Sequence, residues 1–126
     1  MEKIIDLFTA SEYDLIVGKD RDLDLRLTCT YLDATGGTRY FDFTTYTGAT
    51  LTIKNRAGTI LMQFTTSGGS ITLYGDTGVF KLTKTYAEMD KIRAGQYDYD
   101  MVLSNATYAR RAFLWGNITF IQNITN

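Results

Sequence analysis

Two sets of carboxylates are the residues best spaced for chemistry. Asp98 and Asp100 alternate along one stretch, and on an extended strand they point the same way, roughly 7 Å apart. Paired acids not far from that spacing flank the bond cleaved by inverting glycosidases, so a small carboxylate-dependent hydrolase is one reading. Outward-facing acids on any strand give the same spacing. Asp20, Asp22 and Asp24 also alternate and suggest calcium. A calcium loop of the EF-hand type needs Gly at its sixth position and Glu at its twelfth, where this chain has Leu25 and Tyr31. The solvated face of a strand is the simpler reading of the three acids.

The chain of 126 residues contains no histidine. That removes the Ser-His-Asp and Cys-His arrangements, the commonest general base and the commonest metal ligand. One cysteine, Cys29, can form neither a zinc set nor an intramolecular disulfide, and in the run Leu25, Leu27, Cys29, Tyr31 it reads as a small buried hydrophobe. No Gly-rich phosphate loop occurs. The expectation is a non-enzymatic protein with no catalytic, cofactor or metal site. Thirteen basic residues stand against fourteen acidic ones, and Arg110-Arg111 is the only adjacent basic pair, so nucleic acid is not an expected partner. No stretch approaches the roughly 20 apolar residues of a membrane span. The start Met1-Glu-Lys-Ile-Ile-Asp-Leu-Phe has no signal-peptide h-region, and the expectation is a soluble protein made in the cytoplasm.

Aromatic residues carry the stronger functional signal. Ala112, Leu114, Ile118 and Phe120 share one parity, which reads as a core face. Phe113 and Trp115 fall on the other, beside Arg111. Either the two aromatics are exposed, or a bulge at Gly116 shifts the register and turns both sets inward, or Trp115 is covered by the N-terminal arm. Exposed aromatics beside arginine mark binding surfaces, and an aromatic platform near Asp or Asn also suits sugar stacking. The candidate interaction surface is therefore Arg111, Phe113 and Trp115 together with Ile4, Ile5 and Phe8. The last three belong to residues 1–12, an apolar arm that pairs along its own sheet edge or lies on a neighbouring subunit.

The elements that must hold these residues repeat with a period of two. Twenty Thr, nine Tyr, seven Phe and eleven Gly favour pleated strands and tight turns. Leu23, Leu25, Leu27, Cys29 and Tyr31 alternate with Asp24, Arg26, Thr28 and Thr30, as a strand with one face on a core does. Tyr40 to Phe43 resumes an extended segment. Ala49, Leu51 and Ile53 lead through the turn Asn55 to Gly58 into Ile60, Met62 and Phe64, which predicts a hairpin. Short strands follow around Ile71 and Leu73, then from Val79 to Leu82. Tyr86, Met89 and Ile92 are spaced by three, predicting a short helical turn near 85–92 that crosses between sheets. Gly95 to Leu103 and Ala109 to Ile121 close the chain. Strands at this spacing, with no helical run long enough for a βαβ crossover, predict an all-β sandwich over residues 13–126.

In that order the chain resembles a domain of tailed-phage virion proteins, the small immunoglobulin-like sandwich at the N-terminus of upper-baseplate proteins. The residues that carry the resemblance are Gly18-Lys-Asp20 before the alternating strand, Tyr46-Thr-Gly-Ala-Thr-Leu-Thr-Ile-Lys54 before a Gly-turned hairpin, and Gly78-Val-Phe-Lys-Leu82. Ala94-Gly-Gln-Tyr-Asp-Tyr-Asp100 and Leu114-Trp-Gly-Asn-Ile-Thr-Phe120 complete the series. The resemblance runs from about Tyr13 onward and offers no catalytic residues. It implies an immunoglobulin-like antiparallel β-sandwich of about seven to nine short strands. It also implies a virion structural or assembly protein, assembled in the host cytoplasm, with other virion proteins and copies of itself as partners. Because the family's members usually carry a long C-terminal extension, a chain ending at Asn126 suggests a capsid decoration, a connector or a fibre-anchoring subunit as readily as a baseplate component. A carbohydrate-binding module using exposed aromatics is the alternative, with a glycan as partner.

Overall fold

The computed structural model describes residues 2–6, 12–19, 21–107 and 111–122. Two sheets face each other across one apolar core, with β1 (Glu2–Asp6), β3 (Leu23–Leu32), β4 (Thr38–Tyr40), β7 (Ile71–Leu73) and β8 (Val79–Lys84) in one. The other has the order β2-β10-β9-β5-β6 and is built from β2 (Leu15–Gly18), β10 (Arg111–Ile121), β9 (Gly95–Ser104), β5 (Gly48–Lys54) and β6 (Ile60–Thr65). The protein is an immunoglobulin-like β-sandwich. Its pairings are antiparallel except at two edges, where β1 runs parallel to β3 and β2 runs parallel to β10.

Alternation in the sequence becomes alternation in burial. Leu23, Leu25, Leu27 and Cys29 of β3 face inward and meet Leu51, Ile53, Tyr99, Met101 and Leu103 of the opposite sheet in a single core. The hairpin β5–β6 forms around Asn55, whose carboxamide oxygen accepts from Thr59 N–H at 2.9 Å. The short helix α1 (Tyr86–Met89) carries the chain from β8 in one sheet to β9 in the other. Thr85 caps it by accepting from Glu88 N–H, and Met89 and Ile92 are buried while Tyr86 is exposed. A free Tyr86 N–H would be an orphan donor of the first turn; the Asp22 carboxylate accepts from it at 2.6 Å. Of the three alternating acids, Asp22 is thus a partner of a helix end, and Asp20 lies outside the described residues.

Three departures from the sequence expectation concern β10 and what lies beside it. The bulge falls at Phe113, between the pairs Ala112–Val102 and Leu114–Met101, and not at Gly116. One extra residue lets Phe113 and Leu114 both turn inward, while Ala112, expected in the core, is exposed. The reason is aromatic packing: Phe113 lies 4.9 Å from Phe41 and 5.6 Å from Phe43, ring centre to ring centre, and Phe43 in turn meets Phe80 at 6.0 Å. Second, the extended segment expected at Tyr40 to Phe43 pairs only over Thr38–Tyr40, because Phe41 and Phe43 are drawn into that cluster. Third, Leu15–Gly18 is a strand without an obvious sequence signal. Leu15 and Val17 face the core and Ile16 faces outward, in register with Ile118, Phe120 and Thr119.

Gly116 has a different task. A Cβ built there would lie 2.6 Å from the Tyr13 carbonyl oxygen and 3.0 Å from the Asp14 carboxylate. Contacts to backbone that short force the chain to move. Gly116→Ala is therefore expected to lower the stability by about 1–3 kcal/mol. Urea unfolding of wild type and variant checks this, and an unchanged midpoint would show that the crossing is looser than described.

Candidate interaction surface

The outer face of the second sheet is assembled by the residues whose parity the bulge resets. After Phe113, β10 turns Leu114, Gly116, Ile118 and Phe120 inward and Trp115, Asn117, Thr119 and Ile121 outward. Trp115 is 51% exposed, Ile16 60% and Ile121 42%. Ile16 pairs with Thr119 and Gly18 with Ile121, so the three apolar side chains follow one line along the β2–β10 edge. At about 3.3 Å per residue the line spans roughly 20 Å.

Polar side chains surround that line. Trp115 lies between Glu12, across an isolated parallel bridge, and Asp100, its antiparallel partner on β9. Beyond Asp100 come Thr52 and Gln63, whose side chains hydrogen-bond at 3.2 Å. The next row holds Asn117, Asp98 and Lys54. The edge is fixed by backbone. Tyr13 N–H donates to the Trp115 carbonyl at 2.9 Å, and Asn117 N–H donates to the Asp14 carboxylate at 3.0 Å. From beneath, the buried Tyr99 hydroxyl donates to the Tyr13 carbonyl. At the far end Lys19, 4% exposed, donates its N–H to Ile121 and sets its ammonium group 3.0 Å from Gln122 and 3.4 Å from Asp90.

The residues expected to form one surface do not converge. Trp115 is outward, and Phe113, 8% exposed, belongs to the core cluster and lines no surface. Ile4 and Ile5 sit in β1, opposite Thr28 and Cys29 of the other sheet. Arg111 opens β10 opposite Leu103, and Phe8 lies outside the described residues. Missing from the sequence reading were Ile121, which shares Trp115's face by alternation along β10, and Glu12 and Ile16, which reach it only through the parallel pairing. Asp98 and Asp100 stand on this open face. Two grooves border the sheets, one of about 580 Å³ lined by Asp22, Asp24, Gln63 and Lys84, and one of about 480 Å³ where Ile16 and Ile121, at the far end of the apolar line, meet Val17, Arg21 and Leu25; neither is lined by Trp115, Asp98 or Asp100.

Titration follows burial. Desolvation pushes the Cys29 thiol up to about 12. The Tyr99 phenol is also raised, first by burial and then by nearby Asp14. Asp33 moves the other way: the Arg39 guanidinium, 2.9 Å away, with the Thr35 hydroxyl and Gly37 N–H, holds its carboxyl well below the usual range.

No protein-family model matches the sequence, and no curated protein matches it. Among solved structures, the N-terminal domain of phage TP901-1 ORF48 is similar over 98% of this chain and 100% of that one, with a TM-score of 0.55 and 5% identity. Fibronectin(III)-like modules of Clostridium thermocellum CbhA align over 92% of this chain and 95% of theirs, at TM-score 0.41 and 8% identity. An endo-beta-1,4-mannanase from Thermotoga petrophila aligns over 85% of this chain and 18% of its own, at TM-score 0.45 and 9% identity. At 5% identity the likeness to the phage domain is one of fold.

The buried thiol sets a pH dependence. An unfolded chain releases the cysteine proton near its ordinary value, about 8.5, whereas the folded chain holds it to about 12. Between those values the native state binds more protons, so the thiol's contribution to stability is level below about pH 8 and falls as the pH rises above it. Urea midpoints at rising pH should show this fall, and Cys29→Ala should flatten it; an equal fall in the variant would show that the thiol is not its source.

Proposed function

We propose that this protein is a non-enzymatic structural or assembly component of a tailed-phage virion that works through protein–protein contacts on the outer face of its β2–β10 edge. One observation carries the reading. Trp115, Ile16 and Ile121 form an exposed apolar line along the β2–β10 edge. Side chains of that size in one line mark an interaction surface, where scattered ones would not. The end-to-end likeness to a phage protein's N-terminal domain supports the setting. The absence of histidine, and the open position of Asp98 and Asp100, support a role without a catalytic step or a cofactor. The partners on this reading are other virion proteins and further copies of the chain, assembled in the host cytoplasm, at a head, neck, tail or baseplate position.

A second reading rests on the same ring. Trp115 with Asp100 and Asn117 beside it would also stack a sugar and hydrogen-bond its hydroxyls, as in a carbohydrate-binding module.

Trp115→Ala separates the two. Cosedimentation with purified virion proteins encoded in the same gene cluster, and sedimentation of the chain alone, should show association that the variant weakens by about tenfold or more, with thermal melting unchanged. A glycan-array response abolished by Trp115→Ala, without any protein association, would replace the assembly reading with the carbohydrate one.

A further inference from the structure

The chain as a whole is almost neutral, with thirteen basic and fourteen acidic residues. The face around Trp115 is not. Among the described side chains, Glu12, Asp14, Asp98 and Asp100 lie beside the indole against Lys54, and Arg21 stands farther along, by Ile16 and Ile121. Asp14 is engaged by Asn117 N–H. Glu12, Asp98 and Asp100 have no ion pair or side-chain hydrogen bond among the described residues. Two of them, Glu12 and Asp100, are the cross-strand neighbours of the exposed indole on either side. Neighbouring strands stand about 4.8 Å apart, so a planar cation lying on the ring can reach a carboxylate on either flank.

From this juxtaposition we infer that the face binds an extended basic segment of a partner protein, with an arginine seated on Trp115 between Glu12 and Asp100. A guanidinium stacks on an indole face and offers a fork of N–H donors that matches a carboxylate. An ammonium group is drawn to the ring face too but lacks the planar fork, and a neutral sugar gains nothing from the charge of the face. The negative field of the face also steers a basic segment toward it. Ile16 sets the length of the occupant. It lies beside Thr119, four residues along β10 from Trp115, or roughly 13 Å in an extended chain. The segment thus carries an apolar side chain about four residues from its arginine. This names the chemistry of the partner and rests on the assembly reading above.

The chain has a single tryptophan, so its fluorescence reports this site directly. The probe is a capped seven-residue peptide of Gly and Ser with Arg at its second position and Ile at its sixth. A lysine-for-arginine counterpart and a neutral soluble oligosaccharide are the comparisons. The expected result is a saturable change in emission with the arginine peptide, weakened by added salt and weakened roughly threefold to tenfold by Glu12→Gln with Asp100→Asn. The lysine peptide should bind several-fold less tightly and the oligosaccharide should give no change. Equal affinity in the double variant, a stronger response to the oligosaccharide, or no saturable response would overturn the inference. Cosedimentation with virion proteins distinguishes the levels. Loss on Trp115→Ala but not on the carboxylate changes overturns the cationic occupant and leaves the assembly reading standing. Loss on neither overturns both.

Discussion

The backbone of Tyr13 and Asp14 crosses β10 at Gly116 with no room for a side chain between them, and much of the second sheet is arranged by that contact. It lets Leu15–Gly18 lie parallel to the last strand, so segments 103 positions apart in the sequence share one edge. The Tyr99 hydroxyl binds the Tyr13 carbonyl from the core side, and the Asp14 carboxylate takes the Asn117 N–H from the outer side. A buried hydroxyl without a partner is costly, so Tyr99 ties the position of the crossing to the packing of β9. Burying Leu15 and Val17 then contributes about 1.5–3 kcal/mol for each side chain. The edge is covered by hydrogen bonds and apolar burial together.

The same strand has a second constraint one turn of the pleat earlier. Phe113 completes a cluster with Phe41, Phe43 and Phe80 that joins the β4–β5 connection, β8 and β10. Aromatic pairs at such spacings add roughly 0.5–1.5 kcal/mol beyond the area they bury. The bulge at Phe113 supplies the extra residue, and everything after it changes face. Trp115 is outward because Phe113 is inward. The candidate surface is therefore a consequence of core packing, with the parallel edge supplying Glu12 and Ile16 beside it.

Sequence pattern revealed the larger strands because their partners lie nearby or their alternation is long. β3 alternates over ten residues, and β5 and β6 are joined by a turn with its own chemistry. β2 escaped notice because it has four residues and pairs with a strand a hundred positions away, which no local period reports. The conflict of parity in β10 was visible from Ala112 and Leu114 against Phe113 and Trp115. Its solution was not, since the bulge is placed by contacts with Phe41, Phe43 and Phe80. Gly116 reads in the sequence as a bulge, whereas its place in the structure is set by the Tyr13 carbonyl against it. Of the surface, Trp115 was legible as a candidate; Ile16 and Glu12 required the parallel register, and Ile121 shares Trp115's parity on β10. The sandwich that the strand pattern indicates is the fold shared with a phage protein's N-terminal domain.

Whether the indole faces water is the point on which the interaction surface stands. Acrylamide quenching of the native protein measures it directly, because Trp115 is the only tryptophan in the chain. An indole that is 51% exposed should emit toward the red limit and be quenched nearly as readily in the folded protein as in urea. A blue-shifted emission that resists quenching until the protein unfolds would place the ring under other parts of the chain and contradict the surface.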